Sequence, residues 1–468
     1  MSTKNPYLSI DQQMMGDVYT STESMDNLTI LCDEFGSRFG GTKGEHQAAQ
    51  FIKAKLESYG LSNVHLETVQ YEGWRRGNVT FEITSPIQRE MPCITLPHSP
   101  PANLEATLID LGDGAPDVYA ERADEINGNI VMTNSEVNPG GSKRWVHRNE
   151  KYGRSLLEGA AGFIFVNHYP GFGPATGGVG EDGHGGHIPA ISLAFEDGAF
   201  LQRLIKRHGK VTVRIHSSDV LEPMESWNII ADLPGKENPN QIIMLGCHYD
   251  GHDISQGAAD PASGAVALLE AARVLAKYAP NLPVTVRFAL WGIEEIGLLG
   301  STQYVADHQA ELDKIRFYLN MDAAGAVVQK DIVLNKWPTL APIFEAWSNE
   351  MALQFNVGQS VNAHSDHYPF LMAGVPTGGI GSLSKSGGRG YGHTKYDTLD
   401  KVNLTSLREA TVLAARLTMR MADRESWPVQ RRGVDEVTAV LDNPDNQEET
   451  AIFQKIHTFY KQQATQGH

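Results

Sequence analysis

Four stretches of this 468-residue chain end an apolar run or a tight turn on residues that bind metals or carry protons. QIIMLGC leads into His248, Tyr249 and Asp250, RFALWGI into Glu294 and Glu295, RFYLN into Met321 and Asp322, and the turn GYG into His393. Asp260 sits in the loop GAADPASG just before a helical pattern, where stiff backbone near the positive helix end would hold a carboxylate. Imidazole and carboxylate are the usual ligands of zinc at ~2.0–2.2 Å, and no cysteine cluster offers a thiolate site. Zinc is therefore the leading metal, with manganese or cobalt as substitutes. Asp260 is placed to bridge two ions. Asp250, two residues after His248, is placed to accept the ring N–H that a metal leaves unused, and Asp397 in HTKYDT is similarly placed for His393. Glu294 and Glu295 are adjacent on non-helical backbone and diverge, so one can ligate metal while the other faces the water between the ions and moves its proton.

Each residue alone has a plainer reading: an Asp after a strand caps a helix, a lone His forms an ordinary hydrogen bond, and a Glu-Glu pair is solvated charge. The conjunction is what points to a metal centre. Asp260, Glu295 and Asp322 bring three negative charges against four from two divalent ions, so the loaded site is nearly neutral once a hydroxide bridges them. Stripped of metal, the same carboxylates repel, and the protein should be less stable.

Such residues converge only if the strands that carry them lie side by side. From Asn228 onward, apolar runs alternate with helical patterns such as ASGAVALLEAARVLAKYA and NLTSLREATVLAARLTMR. This describes an α/β fold, a mixed but mostly parallel sheet sandwiched by helices, in which ligands gather beyond the carboxyl ends of the strands. The chain opens helix, turn, helix, followed by the alternating strands VHLETVQYE and NVTFEIT. Between about 102 and 215 the runs are short and β-like, and only RSLLEGA and DGAFLQRLIKR look helical. The expected organisation is a catalytic domain of residues 1–100 and 216–425, a β-rich insert at 101–215 and a helical tail at 426–468. GPATGGVGEDGHGGH reads as a mobile surface loop rather than a site for His184 and His187. In the tail, Ile452, Ile456, Phe459 and Tyr460 share one helical face, which either docks on the body or meets a partner subunit, leaving a homodimer open.

Composition excludes several classes. Hydrophobic content of 41% and charged content of 20% suit a folded globular chain. A net charge of −17 without a basic patch argues against nucleic acid and anionic membrane as partners. There is no apolar leader and no run long enough to span a bilayer, and Cys32, Cys93 and Cys247 lie far apart without a CxxC pair. The expected location is the cytoplasm, with the periplasm or secretion as the alternative.

GCHYDGHD, GAADPASG, LWGIEEIGLLGS, LNMDAAG, SDHYPF and YGHTKYDT together resemble the co-catalytic zinc exopeptidase family that includes bacterial leucyl aminopeptidases and plasma glutamate carboxypeptidase. The resemblance implies a zinc exopeptidase fold of the phosphorylase/hydrolase-like kind. It also implies that His248, Asp260 and Asp322 hold one zinc, that Asp260, Glu295 and His393 hold the other, that Glu294 is the general base and that Asp250 backs the first histidine. GGTKGEHQAAQFIKAKLESYGLSNVHLETVQYEGWRRG looks like the start of the plasma glutamate carboxypeptidase subgroup. GNIVMTN, AAGFIFVN and IPAISLAFEDGAFLQRLI resemble an inserted protease-associated domain. NAHSDHYPF lacks the tyrosine that some relatives place just before SDH, so Tyr391, His364 and His367 are the nominees for an oxyanion or substrate contact. The implied activity is hydrolysis of short peptides by an aminopeptidase, dipeptidase or carboxypeptidase. The alternatives are a glutaminyl cyclase-like acyltransferase, which metal stoichiometry would separate, and a non-catalytic relative of the transferrin receptor type.

Overall fold

The computed structural model describes residues 5–140, 142, 144–181, 183–384, 390–442 and 444–466. The chain divides into two units, the first comprising Met1–Val69, Glu225–Gly388 and Asp397–Val440, the second Gln70–Met224, Arg389–Tyr396 and Leu441–His468. Among the described residues no helix is long and apolar enough to cross a membrane, and Cys32, Cys93 and Cys247 are unbridged.

The sheet of the first unit has strands β1 (Ser62–Arg75), β2 (Val220–Leu233), β3 (Asn238–His248), β4 (Val284–Trp291), β5 (Ile315–Asn320), β6 (Asp331–Leu334), β7 (Val357–Gln359) and β8 (Thr377–Gly381). Their spatial order is β1-β2-β4-β3-β5-β8-β6-β7. Strands β4, β3, β5 and β8 run parallel, whereas β2 is antiparallel to β4, and β6 to β8. The mixed, mostly parallel sheet expected from the apolar runs is therefore present. Every residue of β4 is buried, as a central strand covered on both faces requires.

Alternation along the strands sorts side chains to two faces. On one face, Met244 of β3, Trp291 of β4 and Tyr318 of β5 form a cluster with Tyr304 and Phe370, which belong to helices α2 (Leu299–Asp307) and α3 (His367–Met372). On the other, Cys247 faces Gly264 of helix α1 (Ser263–Tyr278), where a β-carbon would stand 2.9 Å from the sulfur. Helix α4 (Leu404–Asp423) starts where the Asn403 side chain accepts the amides of Thr405 and Ser406 at 2.8 and 3.2 Å, a side-chain cap that satisfies two of the helix's free N–H groups. In register, His248 lies opposite Trp291, and Gly246 opposite Asn320. β3 and β4 thus end level and β5 ends two residues short of them, and whatever follows each strand falls along one edge.

The second unit also contains a mixed sheet, in which the strands Ala102–Asp110, Ile130–Asn134, Gly162–Val166 and Ala190–Leu193 pair parallel with one another in that order. It starts well before residue 101. The strand Val79–Ser85 pairs antiparallel with Thr212–Ser217, so the ladder itself draws the earlier segment into this unit. The tail is divided as well: Val434–Leu441 is a separate helix from Pro444–Gln466.

That last helix docks on its own chain. Ile452 and Ile456 are buried, and Phe459 and Tyr460 pack against a cluster that includes Tyr152, Val179 and Ile188. Gly153 makes room for Ile456, since a β-carbon there would overlap its side chain. The glycine-rich segment is part of this seat and departs from the mobile loop expected of it. The His187 ring lies 4.5 Å from that of Tyr460, centroid to centroid, while His184 is exposed. Ile456→Ala should cost about 2 kcal/mol or more, read as faster hydrogen exchange along 444–466; unchanged protection would show that the seat does not hold the helix.

Candidate functional site

His248 ends β3, is almost fully buried, and stands between two carboxylates. Its Nε2 lies 3.4 Å from Asp260 Oδ1 and 3.4 Å from Asp322 Oδ1. Two donors each ~2.0–2.2 Å from one ion at a tetrahedral angle stand ~3.3–3.6 Å apart, so this spacing fits a zinc ion. Nε2 of His248 and Oδ1 of Asp322 are also buried without a hydrogen-bond partner, which polar atoms inside a protein rarely are. Glu294 joins them: the ligand-type atoms of His248, Glu294 and Asp322 lie within 4.8 Å of one another.

The sequence places each group by a local device. Beyond β4 the buried residue Ile293 takes a φ of 58°, a costly conformation for a β-branched side chain, and the chain turns there to present Glu294 and Glu295. Asp250 fixes that turn, its carboxylate accepting the amides of Glu294 and Glu295 at 3.0 and 3.3 Å. Toward His248, the main-chain oxygen of Asp250 is nearer to Nδ1 (3.1 Å) than its carboxylate is (3.5 Å). Asp250 thus ties the end of β3 to the end of β4 as well as backing the histidine. Asp397 holds the Asp260 loop, its two oxygens accepting the amides of Ala259 and Asp260 at 2.8 and 3.1 Å. Asp322 accepts the Ser365 hydroxyl at 2.8 Å, and Ser365 accepts from Asn320 at 2.8 Å.

Glu295 is buried and lies 2.8 Å from Nε2 of His252, itself buried. His252 was not singled out in the sequence, although it sits in the same GCHYDGHD stretch four residues after His248; that repeat of histidine was the available signal. His393 adopts a φ of 54° and its carbonyl accepts the Thr176 amide at 2.8 Å; it falls in the segment Arg389–Tyr396, grouped with the second unit. Tyr391 lies in the same segment, its carbonyl accepting the amide and hydroxyl of Thr394. His367 opens α3 and is buried, with Nδ1 3.5 Å from the Asn320 amide nitrogen, whereas His364 is half-buried on a loop.

Charge is crowded here. Burial pushes the Glu294 carboxyl well above the ordinary carboxylate range, and Glu295, Asp366 and Asp322 push it further, against the pull of His248. Burial likewise lifts Asp366 to about 7. For His248, burial disfavours the imidazolium, but the surrounding Glu294, Asp250, Asp260 and Asp322 outweigh it and raise its pKa.

Residues 228–418 match the model of peptidase family M28. The matched segment is less than half of the chain. Carboxypeptidase Q of Mus musculus is 28% identical over 312 residues, 64% of this chain and 64% of that protein's length. A probable leucine aminopeptidase 2 of Trichophyton verrucosum is 29% identical over 381 residues, 78% of this chain and 72% of that protein. Among solved structures, a peptidase M28 precursor from Shewanella amazonensis superposes with a TM-score of 0.78 at 25% identity, covering 91% of this chain and 98% of its own. BSAP, a zinc aminopeptidase from Bacillus subtilis, shares the fold at a TM-score of 0.66 and 22% identity, over 86% of this chain and 95% of that one.

A pH dependence follows from the crowded carboxyls. Asp366, ordinarily near 3.8 and here about 7, holds its proton in the folded state over a range where the unfolded chain has lost it, and Glu294 shifts the same way. Folding of zinc-stripped protein therefore takes up protons, and its stability falls as pH rises from about 4 to about 7. The raised His248 adds a loss at higher pH. Thermal midpoints of chelator-treated protein across that interval should decline, and added zinc should lift them; a flat profile, identical with and without zinc, would contradict the assignment.

Proposed function

We propose that the chain is a zinc-dependent exopeptidase that hydrolyses short peptides. His248, Asp260 and Asp322 hold one ion, Asp260, Glu295 and His393 hold the other, and Glu294 is the general base. The observation that carries the reading is the placement of His248 Nε2 3.4 Å from two separate carboxylates, with Glu294 beside them. The relatives named carboxypeptidase Q, leucine aminopeptidase and zinc aminopeptidase support peptide hydrolysis and zinc, and manganese or cobalt would suit the same nitrogen and oxygen donors.

When bound, such ions supply Lewis acidity, polarising a peptide carbonyl and making water a stronger acid. The remaining work falls to the chain. Glu294, held by its amide on Asp250, accepts the proton of the attacking water and returns it to the leaving amine. Its raised affinity for protons without metal suits a group that must carry one between the two steps. Tyr391, His364 and His367 are the candidates to steady the oxyanion and contact substrate. Asp250 and Asp397 act through the residues they hold. The second unit is assigned as the protease-associated-like insert, closed by the C-terminal helix. Three unbridged cysteines fit the cytoplasmic placement.

Glu294→Gln should keep its zinc, by elemental analysis, and lose ~10²–10⁴-fold in kcat, the usual size of general base catalysis; a variant that keeps most of its turnover removes Glu294 from this role. His393→Ala should lose one ion of the pair, and full occupancy would reject it as a ligand. Peptide pairs blocked at the amino or the carboxyl end decide which free terminus is read; equal cleavage of both would sink the exopeptidase reading.

A further inference from the structure

Arg38 has no solvent exposure, yet its hydrogen bonds end on main-chain carbonyls rather than on carboxylates. Nε donates to the Tyr249 carbonyl at 2.9 Å, Nη1 to that of Gln256 at 2.8 Å and Nη2 to that of Gly257 at 3.0 Å. Nη1 also donates to Leu31 and Gly36. A guanidinium has five N–H groups in a fixed planar fork, and here the fork spans a loop. Tyr249 is the residue after His248, and Gly257 comes three before Asp260.

The loop is shaped to this grip. Its Gly251 amide reaches back to the Arg38 carbonyl at 3.4 Å. At Gly257, whose φ is 54°, a β-carbon would stand 3.1 Å from Arg38 Nη2 and 2.8 Å from the Asp260 carbonyl. At Gly251 it would stand 2.8 Å from the Ser37 carbonyl. Both glycines allow the backbone to close on the arginine.

We infer that Arg38 is a positioning residue for the metal centre: by gripping both ends of the 249–257 loop it sets the distance between His248 and Asp260, and thereby how tightly zinc is held. The inference rests on the metal reading above. A fixed ligand spacing matters because a loose loop must be ordered again each time an ion binds, and partners outside the ligand set typically contribute 10–100-fold to metal affinity. Lysine cannot replace the fork, since one ammonium cannot reach carbonyls at both ends of the loop.

The test is zinc affinity of the full chain, by competition with a chromophoric chelator, for the parent, Arg38→Lys and Arg38→Met, with the thermal midpoint of each zinc-free form as control. Both variants should fold and bind zinc 10–100-fold more weakly than the parent. Unchanged affinity in either folded variant overturns the inference, even where the zinc-free midpoint falls, because the arginine would then serve the fold alone. Failure of both variants to fold overturns it for the same reason. A parent chain that binds no zinc would refute the metal reading itself, a result distinct from parent and variants binding equally well.

Discussion

The controlling constraint is the crowding of carboxylates at one sheet edge. Asp260 and Asp322 each approach the same imidazole nitrogen to 3.4 Å, with Glu294, Glu295, Asp250 and Asp366 close behind. Burial weakens screening, so like charges at these separations repel far more than they would in water. One imidazole cannot neutralise them, and the pKa values of Glu294 and Asp366 are raised by burial first and by this crowding second. A fold would gather such groups only if divalent cations repaid the repulsion, and stability and ligand binding are then two sides of one interaction.

The neighbours of these groups follow the same logic. The Asp250 and Asp397 carboxylates accept backbone amides, and Asp322 accepts a serine hydroxyl. Neutral donors orient a carboxylate without cancelling its charge, which stays available to a metal. Arg38, the buried cation beneath the loop, fits the pattern in reverse, spending its donors on carbonyls. Had it paired with Asp260, it would have competed with the ion for that ligand.

The sequence made the sheet and the strand-end residues legible because β3, β4 and β5 are continuous apolar runs, and a ligand following each run inherits its position from parallel register. The second partners of Asp250 and Asp397 were not legible. Each depends on amides more than forty residues away along the chain, and an amide leaves no mark in composition. His252 is illegible for a different reason: it shares a motif with stronger candidates, and its burial against Glu295 is a tertiary fact. The pairing of Val79–Ser85 with Thr212–Ser217 across more than a hundred residues is not legible either. Nothing local in an alternating strand names its partner.

Glycine illustrates the same limit. A dense glycine segment reads as slack, since each residue is free to adopt many conformations. In this protein Gly180, Gly185 and Gly186 are crowded instead: a side chain at any of them would overlap, respectively, the His184 carbonyl, Leu221 and Tyr152. What separates the two cases is the apolar residues interleaved with the glycines. Val179 and Ile188 bracket the three crowded glycines and are buried in the cluster that also takes Phe459 and Tyr460. Apolar anchors at both ends give a glycine stretch something to close on, and its missing side chains then serve close packing rather than motion.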